Sequence, residues 1–149
     1  MAEISALADD GTYRIMSLSN STAAERIYMQ YTNVSNTVAV VVKTGSVTQA
    51  NISFVLPNET DFNKVSIKYK SNDFALWVNG FQIGTDTSGN TPVGLSELAF
   101  DNSTGNNDFY GKTRELQYFD SALTDAQLET LTSWTSLQEM ITSQLYTNY

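Results

Sequence analysis

The densest group of small oxygen-bearing side chains in this sequence lies in residues 101–108. This segment carries carboxylates at Asp101 and Asp108 and amides at Asn102, Asn106 and Asn107. Hard cations such as calcium take roughly six to eight oxygen ligands of this kind. Hydroxyl groups of a sugar would hydrogen-bond to the same carboxylate and amide groups. The segment is therefore a candidate ligand loop, and Asp101 and Asp108 are its calcium ligands if it binds that metal.

Aromatic side chains near this loop could supply the flat surface on which a sugar ring stacks. Phe109 and Tyr110 follow the loop directly, and Trp77 is the other choice. Asp86 opens a second candidate loop at residues 86–90, and residues 9–11 form a weaker third one. Asn, Asp, Gly and Ser are also the ordinary residues of turns, so a purely structural role for these loops stays open.

Catalytic chemistry has little support in the sequence. The chain has no cysteine and no histidine, which excludes thiol nucleophiles, zinc sites built on those residues and triads with an imidazole base. Glu97 and Asp101 would share one face of a strand but stand about 13 Å apart along it. Asp125 and Glu129 fit the solvated surface of a helix. The sequence predicts a protein that is not an enzyme.

Composition limits the partners. The chain of 149 residues fits one domain, and eight basic against sixteen acidic residues give a net charge of -8. That sign disfavours nucleic acid, whose binding needs clustered cations. No apolar run approaches the roughly 20 residues of a membrane span, so membrane insertion is not expected. Charged residues are only 16% of the chain, and Ser, Thr and Asn replace them. Strand and turn preferences explain this composition, and exposure on a secreted or viral surface is the alternative.

Alternating apolar and polar residues predict strands through most of the chain. Their spacing of about ten residues indicates an antiparallel sandwich or barrel. The clearest strand is 63–70, where Val65, Ile67 and Tyr69 face one way and lysines the other, which predicts one buried and one solvated face. The remaining predicted strands are 2–7, 13–18, 26–31, 37–43, 50–56, 73–79, 81–86, 95–100 and 109–119.

Helical spacing occurs only near the C-terminus. Residues 124–127 have the spacing of a capping box, with Leu123 ahead of it and Leu128 after it, which predicts a two-turn helix. A second helical segment is predicted after Ser136, with an apolar stripe at Leu137, Met140, Ile141 and Leu145. We therefore expect a domain over 1–135 and a helical segment with a tail over 136–149. The stripe docks on its own domain or tethers a partner.

The second half of the chain resembles a known family of folds. Residues 64–80, 85–89, 95–101, 111–112, 116–119 and 123–128 are similar to a laminin-G-like, concanavalin A-like jelly roll of the kind carried by bacteriophage tail-fibre and other virion proteins. The resemblance implies an all-β jelly-roll sandwich of two antiparallel sheets with short C-terminal helices. It also implies that a rim loop could hold calcium. The acidic array with which glycan hydrolases of this fold work is missing here.

Two functions from different classes follow from this resemblance. The first is a non-enzymatic module of a phage virion that binds a host cell-surface glycan or receptor through its rim loops. The second is a capsid-decorating or tail-assembly protein that contacts other virion proteins and binds no sugar. A lectin-like domain of a secreted bacterial adhesin is a third possibility. The first two place the protein in the virion, at the tail or capsid surface.

Assembly is the last expectation. Fibre-type virion proteins are commonly homotrimers, and the chain begins after the expected first strand of the fold. An unpaired sheet edge is therefore predicted at residues 2–7, and such an edge needs a partner. Upstream residues or the tail 145–149 are the expected partners, which predicts mainly monomer in solution.

Overall fold

Ten strands and one helix follow one another in the computed structural model, which describes residues 1–134. They are β1 (Ala2–Ala6), β2 (Arg14–Ser19), β3 (Arg26–Tyr31), β4 (Thr37–Thr44), β5 (Val47–Val55), β6 (Asn63–Lys70), β7 (Asp73–Val78), β8 (Phe81–Asp86), β9 (Glu97–Ala99), β10 (Gly111–Leu116) and α1 (Asp125–Thr132). All ten predicted strands are present, although β9 and β10 are shorter than predicted. The second predicted helix, its apolar stripe and the whole predicted segment 136–149 lie outside the described residues.

The strands form two five-stranded sheets in which every neighbouring pair is antiparallel. The first sheet has the order β10-β1-β6-β7-β8, and the second has the order β5-β4-β3-β2-β9. Alternate side chains of both sheets meet in a shared core, as expected for packed sheets. The predicted fold class, a jelly-roll sandwich of antiparallel sheets, is confirmed.

Strand β1 lies inside its sheet. Ile4 pairs with Thr113 of β10 on one side and with Asn63 of β6 on the other. The predicted unpaired edge at residues 2–7 is therefore wrong. The returning chain supplies β10 as the missing neighbour, so neither upstream residues nor the tail is needed to cover β1.

The core between the sheets comes from the alternation seen in the sequence. Inward residues of the first sheet, such as Ile4, Val65 and Leu76, meet inward residues of the second, such as Met29 and Val40. A second cluster lies toward the β6–β7 turn and contains Ile27, Val42, Ala50 and Phe74. One face of each sheet is thereby removed from water, the main stabilising contribution in such a fold.

The outer face of β6 differs from the prediction. Lys64 is 6% exposed and Ser66 is 2% exposed, so this face is not the solvated strip that its lysines suggested. Lys64 Nζ donates to the carbonyl oxygen of Ser133 at 3.1 Å and lies 4.8 Å from the centre of the Trp134 ring. The chain after β10 folds back across this face, and the long lysine stems pack beneath it.

Helix α1 has the start that the sequence predicted. Thr124 Oγ1 accepts from the backbone N–H of Gln127, and Gln127 Oε1 accepts from the backbone N–H of Thr124. These two bonds complete the capping box. Leu123 and Leu128 pack together on Ala75 and Trp77, so the apolar pair flanking the cap also anchors the helix to β7. Trp77, one of the aromatic side chains considered for sugar stacking, is only 5% exposed and is covered by α1.

The C-terminal end of α1 contacts the β7–β8 turn. Asn79 and Gly80 both have positive φ angles, of 49° and 88°. The Gly80 N–H donates to Thr132 Oγ1 at 3.1 Å, and a Cβ at this glycine would stand 2.7 Å from Ser133 Oγ. Glycine is therefore required here by conformation and by space.

Within residues 1–134, no helix has the length and the apolar character needed to cross a lipid bilayer.

We predict that Leu128→Ala lowers the free energy of unfolding by about 3 kcal/mol, because it removes the buried anchor of α1. Urea unfolding measures this change. The exposed neighbour provides a matched control, and Glu129→Ala should stay within about 0.5 kcal/mol of the parent protein. Equal effects of the two substitutions would contradict the anchoring role.

Candidate functional site

A cleft opens at the end of the sandwich where β6 turns into β7. Its inner part is a cavity of about 430 Å³ between the sheets, walled mainly by apolar side chains. Its outer part, which we call the vestibule, has a volume of about 460 Å³ and is more polar. The two parts share Tyr69, Leu95, Tyr118, Asp120 and Ala122. Such a cleft, apolar with a few polar groups, is the usual form of a small-molecule site.

Two tyrosines form the boundary between cavity and vestibule. The inward alternation of β6 aims Tyr69 between the sheets, whereas Tyr118 follows β10 and is 64% exposed. Tyr69 Oη donates to Tyr118 Oη at 3.3 Å. Burial, together with this bond, raises the pKa of Tyr69 well above its ordinary value. The Tyr69 hydroxyl therefore stays protonated and uses its one proton on Tyr118, whose own hydroxyl proton can be donated to a ligand.

Hydrogen bonds to the side chain of Glu25 fix the vestibule wall around Thr91 and Pro92. Glu25 lies directly before β3, and its carboxylate accepts from the backbone N–H groups of Gly45 at 2.6 Å and Val93 at 3.1 Å. These bonds, with one from Thr44, hold the pKa of the Glu25 carboxyl below its usual value. One ionised side chain thus ties two loops to the same end of the sandwich.

Lys68 lies in the cavity wall but offers little free charge. Its ammonium contacts Asp73 at 2.8 Å and Asp125 at 2.9 Å. Burial disfavours its charged form, but the two carboxylates outweigh this effect and raise the Lys68 pKa. The ion pairs join the β6–β7 hairpin to α1 and leave the cavity without an unpaired charge from this lysine.

The predicted ligand loop 101–108 lies along β2, away from the cleft. Asn102 Oδ1 accepts from the backbone N–H groups of Thr104 and Asn106, and Asn106 Nδ2 donates to the Thr104 carbonyl oxygen at 3.2 Å. The Asn107 backbone carbonyl oxygen accepts from the Ile15 backbone N–H at 3.0 Å. The side-chain amides of Asn102 and Asn106 are therefore engaged in shaping the loop.

The carboxylates suggested for calcium are also engaged locally. Asp101 accepts from the Ser103 backbone N–H at 2.5 Å, and Asp108 accepts from Tyr110 Oη at 3.2 Å. Across residues 1–134, no group of three or more acidic side chains is placed to hold a metal ion. The loop keeps oxygen atoms at its surface, and ligand contact by Asp101, Asn102, Asn106, Asn107, Asp108 and Tyr110 stays a prediction.

Asp86 lies at the end of β8 and does not join the other predicted residues. Its carboxylate accepts from the Ser88 backbone N–H at 3.0 Å. This turn is braced by Gly89, whose N–H donates to Asn72 Oδ1 at 3.0 Å. The structure therefore places the two predicted loops in separate hydrogen-bond networks, and neither contributes a residue to the cleft lining.

Sequence reasoning missed the cleft residues Tyr118, Asp120, Thr91 and Lys70. The segment 109–119 was predicted to be one strand, but β10 ends at Leu116. Beyond it the Gln117 N–H donates to the Met1 carbonyl oxygen at 2.8 Å, and the chain leaves the sheet. The one available signal was the aromatic pair at 118–119 directly before polar residues 120–121, a pattern that suits a loop as well as a strand.

A buried carboxylate lies at the opposite end of the sandwich. Glu59 is 1% exposed, and its Oε2 has no hydrogen-bond partner among the residues described. Burial raises the pKa of this carboxyl to about 7, helped by the negative charge of Asp9 and opposed by the guanidinium of Arg14. The length of β6, about 20 Å between Asn63 and Tyr69, separates this group from the cleft. It is therefore not a catalytic acid for the cleft.

A known structure shares the fold of this chain. A leech intramolecular trans-sialidase, complexed with 2,7-anhydro-Neu5Ac, aligns with a TM-score of 0.70 and 16% identity over 91% of this chain. The match covers 23% of the sialidase chain, so the present chain spans about a quarter of that protein. At this identity the likeness shows the fold alone.

A second structure, an S-layer domain-containing protein from Clostridium thermocellum, aligns with a TM-score of 0.44 and 13% identity over 85% of this chain and 65% of its own. No protein-family model and no curated protein sequence matches the chain.

We predict that Glu59→Gln stabilises the protein increasingly as pH rises. The pKa of Glu59 is about 7 in the folded protein and 4.5 for an ordinary glutamate. The free energy of unfolding contributed by the protonated carboxyl is therefore complete below pH 4.5, and it is lost as the pH rises from 4.5 through 7. The variant keeps a neutral side chain, and its advantage should grow between these values to at most about 3 kcal/mol. Urea unfolding at pH 4.5 to 8 measures it. A difference independent of pH would contradict the burial of an ionisable Glu59.

Proposed function

We propose that this chain is a non-catalytic carbohydrate-binding module that holds its glycan in the vestibule. The observation that carries the proposal is the exposed ring of Tyr118 beside a small set of polar groups. Those groups are the hydroxyls of Ser71 and Thr91, the ammonium of Lys70 and the carboxylate of Asp120. A sugar ring presents C–H groups that pack on an aromatic face and hydroxyls that pair with polar side chains, and the vestibule offers both.

The acid content of the cleft supports a binding role over catalysis. Glycoside hydrolysis normally needs two carboxylates about 5 to 9.5 Å apart. Asp120 is the one carboxylate in the described lining of both cavity and vestibule. Glu97 and Asp101, the pair weighed from the sequence, do not belong to that lining.

The setting we propose is the surface of a phage virion, where the partner is a host cell-surface glycan or receptor. This part of the proposal rests on the sequence resemblance to virion jelly rolls. Contacts with other virion proteins and a trimeric assembly belong to the same proposal. The trans-sialidase neighbour, whose crystals were soaked with 3'-sialyllactose, makes that glycan a sensible member of a first binding panel.

The alternative is a structural role in capsid decoration or tail assembly. Leu98, Leu116 and Phe119 at the edge of the cleft are between 38% and 50% exposed, so an apolar contact surface is present there. The apolar stripe of segment 136–149, which could tether a partner in such a role, lies outside the described residues. Glycan binding is therefore the more direct discriminator.

We predict that Tyr118→Ala weakens glycan binding about tenfold or more, because it removes the stacking surface of the vestibule. A glycan array with the intact chain, with and without calcium, identifies the ligand, and calorimetry then measures its Kd. Tyr110→Ala is the matched control, since Tyr110 is 61% exposed in the other candidate loop.

The two tyrosine variants separate the possible sites. Loss of affinity in Tyr110→Ala alone would move the glycan to the 101–110 region. Absence of binding to every glycan under either metal condition would contradict the proposed function and favour the structural role.

A further inference from the structure

The inner cavity behind the vestibule is a half-open cleft. It measures about 430 Å³, within the range of small-molecule sites. Its walls include Met16, Met29 and Ile67 from the two sheets, and Lys68 and Leu128 where α1 covers the outer side of β6. A cleft of this volume is large enough for a molecular group.

The walls specify an apolar occupant. Aliphatic side chains and methionines predominate, and methionine adapts its shape to irregular apolar groups. The ammonium of Lys68 is held by Asp73 and Asp125, so it offers no free charge to a buried anion. An anionic or strongly hydrated group would lose its solvation here without an equivalent partner.

The polar vestibule at the cavity entrance favours a ligand whose apolar part is attached to a polar part. The cavity meets the vestibule at the Tyr69–Tyr118 pair, so a ligand filling both parts has an apolar end inside and a hydroxylated end outside. We propose that the cavity receives an alkyl or acyl group attached to the bound sugar, which makes the ligand an amphiphilic glycan. This inference rests on the proposed function and deepens it.

A series of n-alkyl β-D-glucosides and β-D-galactosides, from methyl to octyl and below micelle-forming concentrations, tests this inference on the full chain. Calorimetry measures the affinity of each compound. Burial of each added methylene should raise the affinity about fourfold until the cavity is filled. An affinity that does not change with the length of the alkyl chain would overturn this inference. The proposed function would still stand in that case if the glycan array had identified a ligand.

A filling variant locates the effect. Leu98 lines the cavity but not the vestibule and is 50% exposed, so Leu98→Trp can narrow the cavity while the protein still folds. It should abolish the dependence on chain length and leave the affinity for methyl glycosides unchanged. Leu7→Trp is the matched control, at a leucine that is 58% exposed and absent from the cleft lining. Equal behaviour of the two variants would overturn the location.

Two other occupants are distinguished by further probes. n-Octanol binding as tightly as octyl glycosides would show an apolar site without a sugar subsite, which overturns the inference and the use of the vestibule. The variant Ile141→Asp tests whether the apolar stripe of residues 137–145 occupies the cavity. If the affinity rises with alkyl chain length in Ile141→Asp but not in the parent chain, the stripe is the occupant and the inference is overturned. If the affinity rises with alkyl chain length in both of these proteins and not in Leu98→Trp, the amphiphilic ligand is supported.

Discussion

The covering of β6 is the constraint on which the rest of this structure depends, since its first four residues are buried on both faces and its last residue alone is exposed. Its inner face, with Val65, completes the core between the sheets, and its outer face lies beneath the chain that returns after β10. A strand buried on both faces must have its polar groups paired. Lys68 meets this requirement with two carboxylates, one from β7 and one from the start of α1, and so fastens the helix to the sheet.

The cleft follows from the same arrangement. After Leu116 the chain has to leave the edge of the first sheet and reach the start of α1 on its outer face. The connection 117–124 therefore passes the open end of the sandwich, where it forms one wall of the cleft and brings Tyr118 to Tyr69. The opposite wall is a loop held by Glu25, so the cleft lies between two segments that are anchored independently of each other.

The two ends of the sandwich have different chemistry. At one end Glu59 and Arg14 are buried, each with an atom that has no hydrogen-bond partner among the described residues, and this end has a stability cost that depends on pH. At the other end the ionised groups are paired or exposed, and Tyr69 donates to Tyr118. The proposed binding chemistry therefore lies at the end where the polar groups are exposed or already satisfied.

The sequence by itself determined the strands, the capping box at Thr124 and the all-β class, because period-two alternation and cap residues act within a few positions of the chain, and the jelly-roll sandwich followed from the family resemblance. It did not determine which strand would neighbour β1 or what would cover Lys64, since these depend on residues more than fifty positions away. The cleft has the same origin: Tyr69 and Tyr118 are 49 residues apart and are brought together by the tertiary structure alone. Local patterns specify elements, whereas a site made where elements meet is decided by their packing.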